Sequence, residues 1–148
     1  MKHLKNILLL LAVTFLITGC TTSKAYTYTV ETGDSIKVEL DTSDDHDIDS
    51  KVPFTITKGD KTVSQGRFLT IDGYNQYVDA AKSDANITII DEGTKNGIDY
   101  LFYSYSDSET EYNYIIKIHD SKTGVSLENT ISQESAKECF NHLTFTKE

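Results

Sequence analysis

The densest run of potentially reactive side chains is Asp41-Thr42-Ser43-Asp44-Asp45-His46-Asp47-Ile48-Asp49-Ser50. Clustered carboxylates are the raw material of a hard-cation site, since Ca2+ takes roughly six to eight oxygen ligands. Asp41, Ser43, Asp45, Asp47 and Asp49 fall on alternate positions, as the ligands of a helix-flanked calcium loop do. The pattern then departs from that loop at two positions. His46 stands where glycine makes the sharp turn, and Val52 stands where a bidentate Glu completes the coordination. The flanking segments also read as strands. A solvated acidic loop is therefore expected over 41–49, with Asp41, Asp45, Asp47 and Asp49 as candidates for a low-affinity Ca2+ site.

Other chemistry is sparse. His46, His119 and His142 sit on different predicted elements and make no H-x-x-x-H or H-E-x-x-H pair, so no zinc centre is expected. His119 and Asp120 are adjacent, and successive side chains on a strand point to opposite faces, which argues against a catalytic dyad. The chain has no G-x-S-x-G elbow, no glycine-rich phosphate loop and no C-x-x-C. Carboxylates are plentiful, but nothing in their spacing selects a pair for acid–base work. The expectation is a protein that is not an enzyme and uses no cofactor. Tyr103, Tyr105, Tyr112 and Tyr114 lie on two successive predicted strands. Tyrosine is rigid and amphipathic, so these four are candidates for a binding surface, the competing expectation being a tyrosine-lined sheet covered by helix.

Two cysteines complete the inventory, and they differ in setting. Lys2 and Lys5 precede an apolar run, Ile7 to Ile17, which ends in Thr18-Gly19-Cys20. As a helix that run would rise about 16 Å, too short for a bilayer core of roughly 30 Å. A charged start, a short apolar stretch and small residues at its end mark a secretory signal. Ile17-Thr18-Gly19-Cys20 resembles the lipobox of bacterial lipoproteins. The resemblance implies cleavage before Cys20 and a diacylglyceryl thioether on its sulfur, and two acyl chains anchor stably where one does not. The organisation expected is a signal peptide over 1–19, the lipidated Cys20 with a short linker over 20–25, and one globular domain over 26–148. The location expected is the extracytoplasmic face of the cell membrane. Cys139 is then left without a disulfide partner and falls on the apolar face of a predicted helix, as a buried thiol.

Fourteen basic residues face 23 acidic ones, and loss of Lys2 and Lys5 with the signal peptide takes the net charge from −9 to −11. Such a domain is a poor match for nucleic acid, whose phosphates call for Lys and Arg. It is also repelled by an anionic leaflet, so the lipid has to hold it there.

The elements that must position these residues read as follows. Period-two alternation predicts strands over 25–31, 35–40, 52–58, 62–71, 98–105, 111–119 and 125–129, with a short β-branched strand over 87–91 and a flexible connection over 92–97. A bulge is expected at Gly66. Tyr74, Tyr77, Val78 and Ala81 share one helical face, which predicts a short helix over 72–83 with Asp72 as its cap. Ser132 caps a second helix whose apolar stripe is Ala136, Cys139, Phe140 and Leu143. The fold class expected is α+β, an antiparallel sheet of about six to eight strands with a middle and a C-terminal helix packed on it.

The C-terminal order, Tyr114-Ile115-Ile116-Lys117-Ile118, Gly124-Val125-Ser126-Leu127, the helix from Ser132 to Phe140, then Leu143-Thr144-Phe145, resembles the PsbP-like family. The resemblance extends loosely from Tyr26 to Phe145. It implies an antiparallel sheet with helices on its faces and an accessory or binding role, and it carries over no functional residue. A membrane-anchored, non-catalytic envelope protein with a protein or envelope partner is the function expected, the alternative being a small-ligand or Ca2+-binding lipoprotein that uses the loop 41–49.

Overall fold

A computed structural model describes residues 22–148, so the expected signal peptide over 1–19 and the expected lipid site Cys20 lie outside the described residues. The architecture is α+β. Ten strands form two antiparallel sheets among these residues: β1 (Ser23–Thr29), β2 (Ser35–Asp41) and β10 (Leu143–Lys147) in the smaller, and seven in the larger. The larger runs β3 (His46–Ile48), β4 (Phe54–Lys58), β5 (Lys61–Thr70), β9 (Thr123–Asn129), β8 (Thr110–Ile118), β7 (Ile98–Ser106) and β6 (Ile87–Lys95). Helix α1 (Ile71–Ser83) links β5 to β6, and α2 (Gln133–His142) links β9 to β10. Among the described residues, no helix is long and apolar enough to cross a membrane.

Each face of the larger sheet is covered, and alternation along its strands decides which side chain goes where. Leu101, Tyr103 and Ile115 face α1 and pack with Ala81. Ile98, Phe102, Tyr114, Ile116 and Ile118 face the other way, toward α2 and the smaller sheet. From β2, Ile36, Val38 and Leu40 enter that second core with no exposed surface, while Lys37 and Glu39 between them are half-buried. Burying a large aliphatic side chain contributes about 1.5–3 kcal/mol, so this alternation is what seats the smaller sheet on the larger.

The helices are capped from within their flanks. Ser132 Oγ accepts from Ser135 N at 3.0 Å, as its position before the apolar stripe implies. At α1 the cap is Thr70, whose Oγ1 accepts from Gly73 N at 3.1 Å, two residues before the expected cap Asp72, which falls in the first turn.

Other differences have local causes. β6 continues to Lys95 and turns tightly through Asn96 (φ 48°) and Gly97 (φ 78°), so 92–97 is no flexible connection. Two successive left-handed residues give the turn that matches strand twist, and Asn-Gly is the favoured pair for it. The irregularity in the β4–β5 pairing falls between Ile56 and Thr57, opposite Val63 and not at Gly66. Gly66 is instead regular and crowded: a Cβ there would lie 2.0 Å from Phe54 Cζ. The acidic stretch holds the strand β3, and Phe145 lies within a tenth strand.

Candidate functional site

The four candidate Ca2+ ligands do not converge. Asp41 Oδ1 accepts from Ser43 N at 2.9 Å, and hydrogen bonding from Ser43 holds its carboxyl below the ordinary value. Asp47 Oδ1 accepts from Lys24 Nζ and from Ile48 N, both at 2.8 Å; the Lys24 bond is the main reason its carboxyl is lowered. Asp49 Oδ1 accepts from Thr55 N at 3.0 Å. Asp45 lies in a short 3-10 turn, Ser43–Asp45, with φ 66°. The carboxylates of Asp41, Asp47 and Asp49 are each directed at a backbone N–H or a lysine, so the alternate spacing is spent on the turn and on β3. The stretch 41–49 thus holds the 3-10 turn and the strand β3 where a solvated acidic loop was expected, and its four candidate carboxylates lie apart in this arrangement.

The candidate tyrosine surface is also divided. Tyr103 and Tyr105 sit on the α1 side of the larger sheet, and Tyr112 and Tyr114 on the other. Tyr114 is buried, stacked at 4.1 Å on Phe102 and 4.0 Å on Phe140, with planes 8° apart in each case. Burial raises its phenol far above the ordinary value, and raises Tyr103 to about 12. Tyr103 and Tyr105 line a shallow cavity of about 200 Å3 beside Tyr77, Glu111 and Asn113. The four tyrosines thus form no common exposed face, because β7 and β8 pair Tyr103 with Asn113 and Phe102 with Tyr114.

His119 meets Asp99, not Asp120: its Nε2 lies 2.8 Å from Asp99 Oδ1, which also accepts from Thr94 Oγ1 at 2.8 Å. The hydroxyl here spends its proton on the carboxylate, so the trio lacks the nucleophile-to-imidazole bond of an acyl-transfer site. Cys139 has no exposed surface, and burial pushes its thiol up to about 11. A thiol in that state is a core side chain and not a nucleophile.

One cluster remains that sequence spacing separated. His46 opens β3, and Glu138 and His142 lie one turn apart on α2. Among the described residues, these three are the group of His, Cys, Asp and Glu side chains whose ligand atoms all lie within 4.8 Å of one another. The two imidazole centroids are 4.3 Å apart. Both rings are held by backbone carbonyls, one in the 3-10 segment and one at the end of β2. His46 Nδ1 donates to Ser43 O at 3.0 Å, and His142 Nδ1 donates to Asp41 O at 2.9 Å. A carbonyl only accepts, so each Nδ1 carries the hydrogen, and in the neutral ring Nε2 offers its lone pair. His142 Nε2 lies 3.6 Å from Asp44 Oδ2. His46 Nε2 is fully buried and has no hydrogen-bond partner. Leaving a buried polar atom unsatisfied costs about 1–3 kcal/mol.

Lys58 completes the surroundings. It is the cross-strand partner of His46, and its Nζ donates to Glu138 Oε1 at 2.7 Å. That bond raises the lysine and lowers the carboxyl from their ordinary values. His46 and His142 lie on different elements, as expected, but antiparallel pairing of β3 with β4, and the seating of α2 over the same core, bring the two together. The sequence signal was Glu138-Cys139-Phe140-Asn141-His142, an E-x-x-x-H step on one helical face. Comparison of the chain with protein-family models, with curated proteins and with solved structures finds no match to any of them.

Proposed function

We propose that the chain is a lipid-anchored, non-catalytic binding protein on the extracytoplasmic face of a bacterial cell membrane. One observation carries this: the sequence Ile17-Thr18-Gly19-Cys20 closes a short apolar run behind Lys2 and Lys5, and β1 begins at Ser23, just past it. The folded domain therefore starts where a lipidated Cys20 would leave the bilayer. Two acyl chains offset the repulsion between an acidic domain and an anionic leaflet. The binding role is supported by the element order that resembles the PsbP-like family, and by the lack of nucleophile and phosphate-loop motifs in the sequence. The net charge of −11 for the chain from Cys20 onward favours a protein or envelope partner over nucleic acid.

Expression of the full chain in a bacterial host tests the anchor. The expected product is found in the membrane fraction, with a mass that places a diacylglyceryl group on a new N-terminal Cys20. Cys20→Ala is expected to accumulate as unprocessed precursor or as soluble protein. Membrane recovery and processing of Cys20→Ala equal to the wild type would overturn the reading.

A further inference from the structure

We propose that His46, Glu138 and His142 form a binding site for a divalent transition-metal ion, with Zn2+ the ion that the donor set suits best. Two imidazole nitrogens and one carboxylate are the ligands of a borderline metal, and two of the three are nitrogen, which disfavours Ca2+ and Mg2+. The inference stands apart from the lipid anchor and does not depend on it.

Four features of the geometry point the same way. First, His46 is 3% exposed, yet its Nε2 has no partner in the protein. A histidine buried only for packing would have both nitrogens satisfied or would expose one to water. Here the satisfied nitrogen is the one that fixes the ring, and the unsatisfied one belongs to a ring centred 4.3 Å from that of His142. Second, both rings have the outer support that metal-bound histidines have, an Nδ1–H donated to a backbone carbonyl, which sets the tautomer and leaves the lone pair on Nε2. Third, the ligand atoms lie within 4.8 Å of one another, and tetrahedral coordination with bonds of about 2.0–2.1 Å asks for separations of ~3.4 Å. Glu138 stands on α2 and is half-buried, so rotation of its side chain can narrow that gap while both rings keep their carbonyl bonds.

Fourth, a cation already engages the carboxylate. Lys58 Nζ sits 2.7 Å from Glu138 Oε1 with Asp44 on the same side of the cluster, at 3.6 Å from His142 Nε2. A dication entering between Glu138 and the two rings would replace the ammonium as the partner of Glu138 and free Lys58 to solvent. Asp44 is placed to supply a fourth ligand, or to accept a hydrogen bond from a metal-bound water.

Titration of the purified full chain in detergent with Zn2+ alone tests the site, read by calorimetry and by the shift in melting temperature. One Zn2+ is expected to bind per chain and to raise the midpoint, while millimolar Ca2+ or Mg2+ leaves it unchanged. Co2+ is expected to give the visible absorption of a four-coordinate ion with nitrogen and oxygen ligands. His142→Ala and Glu138→Gln, both at positions reached from solvent, are each expected to weaken Zn2+ binding at least tenfold. His46→Ala removes a buried ring and is read only where its unliganded fold is intact. Lys58→Met distinguishes a metal site from a merely structural cluster: it removes the competing ammonium, so Zn2+ binding is expected to hold or tighten. Absence of one-to-one Zn2+ binding, wild-type affinity in both His142→Ala and Glu138→Gln, or weaker binding in Lys58→Met would each overturn the assignment.

Discussion

Thr123 Oγ1 donates to Asp34 Oδ2 at 2.8 Å, joining the turn after β1 to the start of β9 across most of the chain. The same carboxylate oxygen accepts from Lys122 N at 2.7 Å, and Lys147 Nζ stands 3.7 Å from the other oxygen. Asp34 is therefore the polar clasp between the smaller sheet and the larger. Burial opposes its charge, but the bonds from Thr123 and Lys122 and the charge of Lys147 outweigh that, and the carboxyl lies below its ordinary value.

Replacing this clasp should be costly and pH-dependent. Asp34→Asn is expected to lose about 1.5–3 kcal/mol of unfolding free energy at neutral pH, the range for hydrogen bonds to a charged group. Because the folded state lowers this carboxyl, its contribution is complete above the unfolded value of about 3.9 and is lost as pH falls through the lower folded value. Urea unfolding at pH 7 and in steps below pH 4 checks both parts. A wild-type advantage that grows on acidification would contradict the assigned direction.

The aromatic stack Phe102–Tyr114–Phe140 holds α2 to the larger sheet. Phe140→Ala removes one end of the stack at a buried position and is expected to cost about 3–5 kcal/mol. Chemical denaturation measures it. A loss below about 1 kcal/mol would show that α2 is held mainly by other contacts.

Gly66 is required by the ring of Phe54 that lies across it. Gly66→Ala is expected to destabilise by about 1–3 kcal/mol through overpacking. The pair Gly66→Ala with Phe54→Leu should cost less than the sum of the two single changes, since the smaller side chain makes room for the methyl. Additivity in that double-mutant cycle would remove the steric explanation.

Cys139 gives a clean readout of the core around α2. In a chain carrying Cys20→Ser, a thiol reagent at pH 8 is expected to find no reactive group in the native state and one after urea unfolding. Rapid labelling of the native protein would mean that α2 opens far more often than its packing implies.

Much of this architecture was legible as alternation. Ile36, Val38 and Leu40, or Leu101 and Tyr103 against Phe102, sort to faces by period two, and Ser132 before Ala136, Cys139 and Phe140 marks α2 without help from tertiary structure. What period two does not carry is partner choice. Whether Tyr103 shares a face with Tyr112 or with Asn113 depends on the β7–β8 register, and the register puts it opposite Asn113. The split into two sheets depends on β2 choosing β1 and β10 as neighbours, a long-range matter. The acidic stretch misled for a related reason. It was read as a solvated loop, but Ser43, Thr55 and Lys24 take up the carboxylates of Asp41, Asp49 and Asp47 one by one. The convergence of His46 on Glu138 and His142 was legible only in half, as the E-x-x-x-H step on α2, because the third residue arrives from a strand at the far edge of the larger sheet.

The hydrogen bond from Thr42 N to Thr22 O, at 2.6 Å, would give a domain anchored as proposed above a base and a top. It pins the first described residue beside the segment whose carbonyls, at Asp41 and Ser43, orient the two clustered imidazoles. Cys20 is two residues further back, a reach of at most about 7 Å. Under the anchor proposed above, a lipid on that residue would make the His46–Glu138–His142 end of the domain the nearer one to the bilayer. The other end of β2, about 20 Å along the strand, is where Asp34 clasps the 121–123 turn, and it would stand outermost. The tether would then act as a compass as well as a leash, turning one pole of the protein to the membrane and presenting the other to whatever approaches from outside.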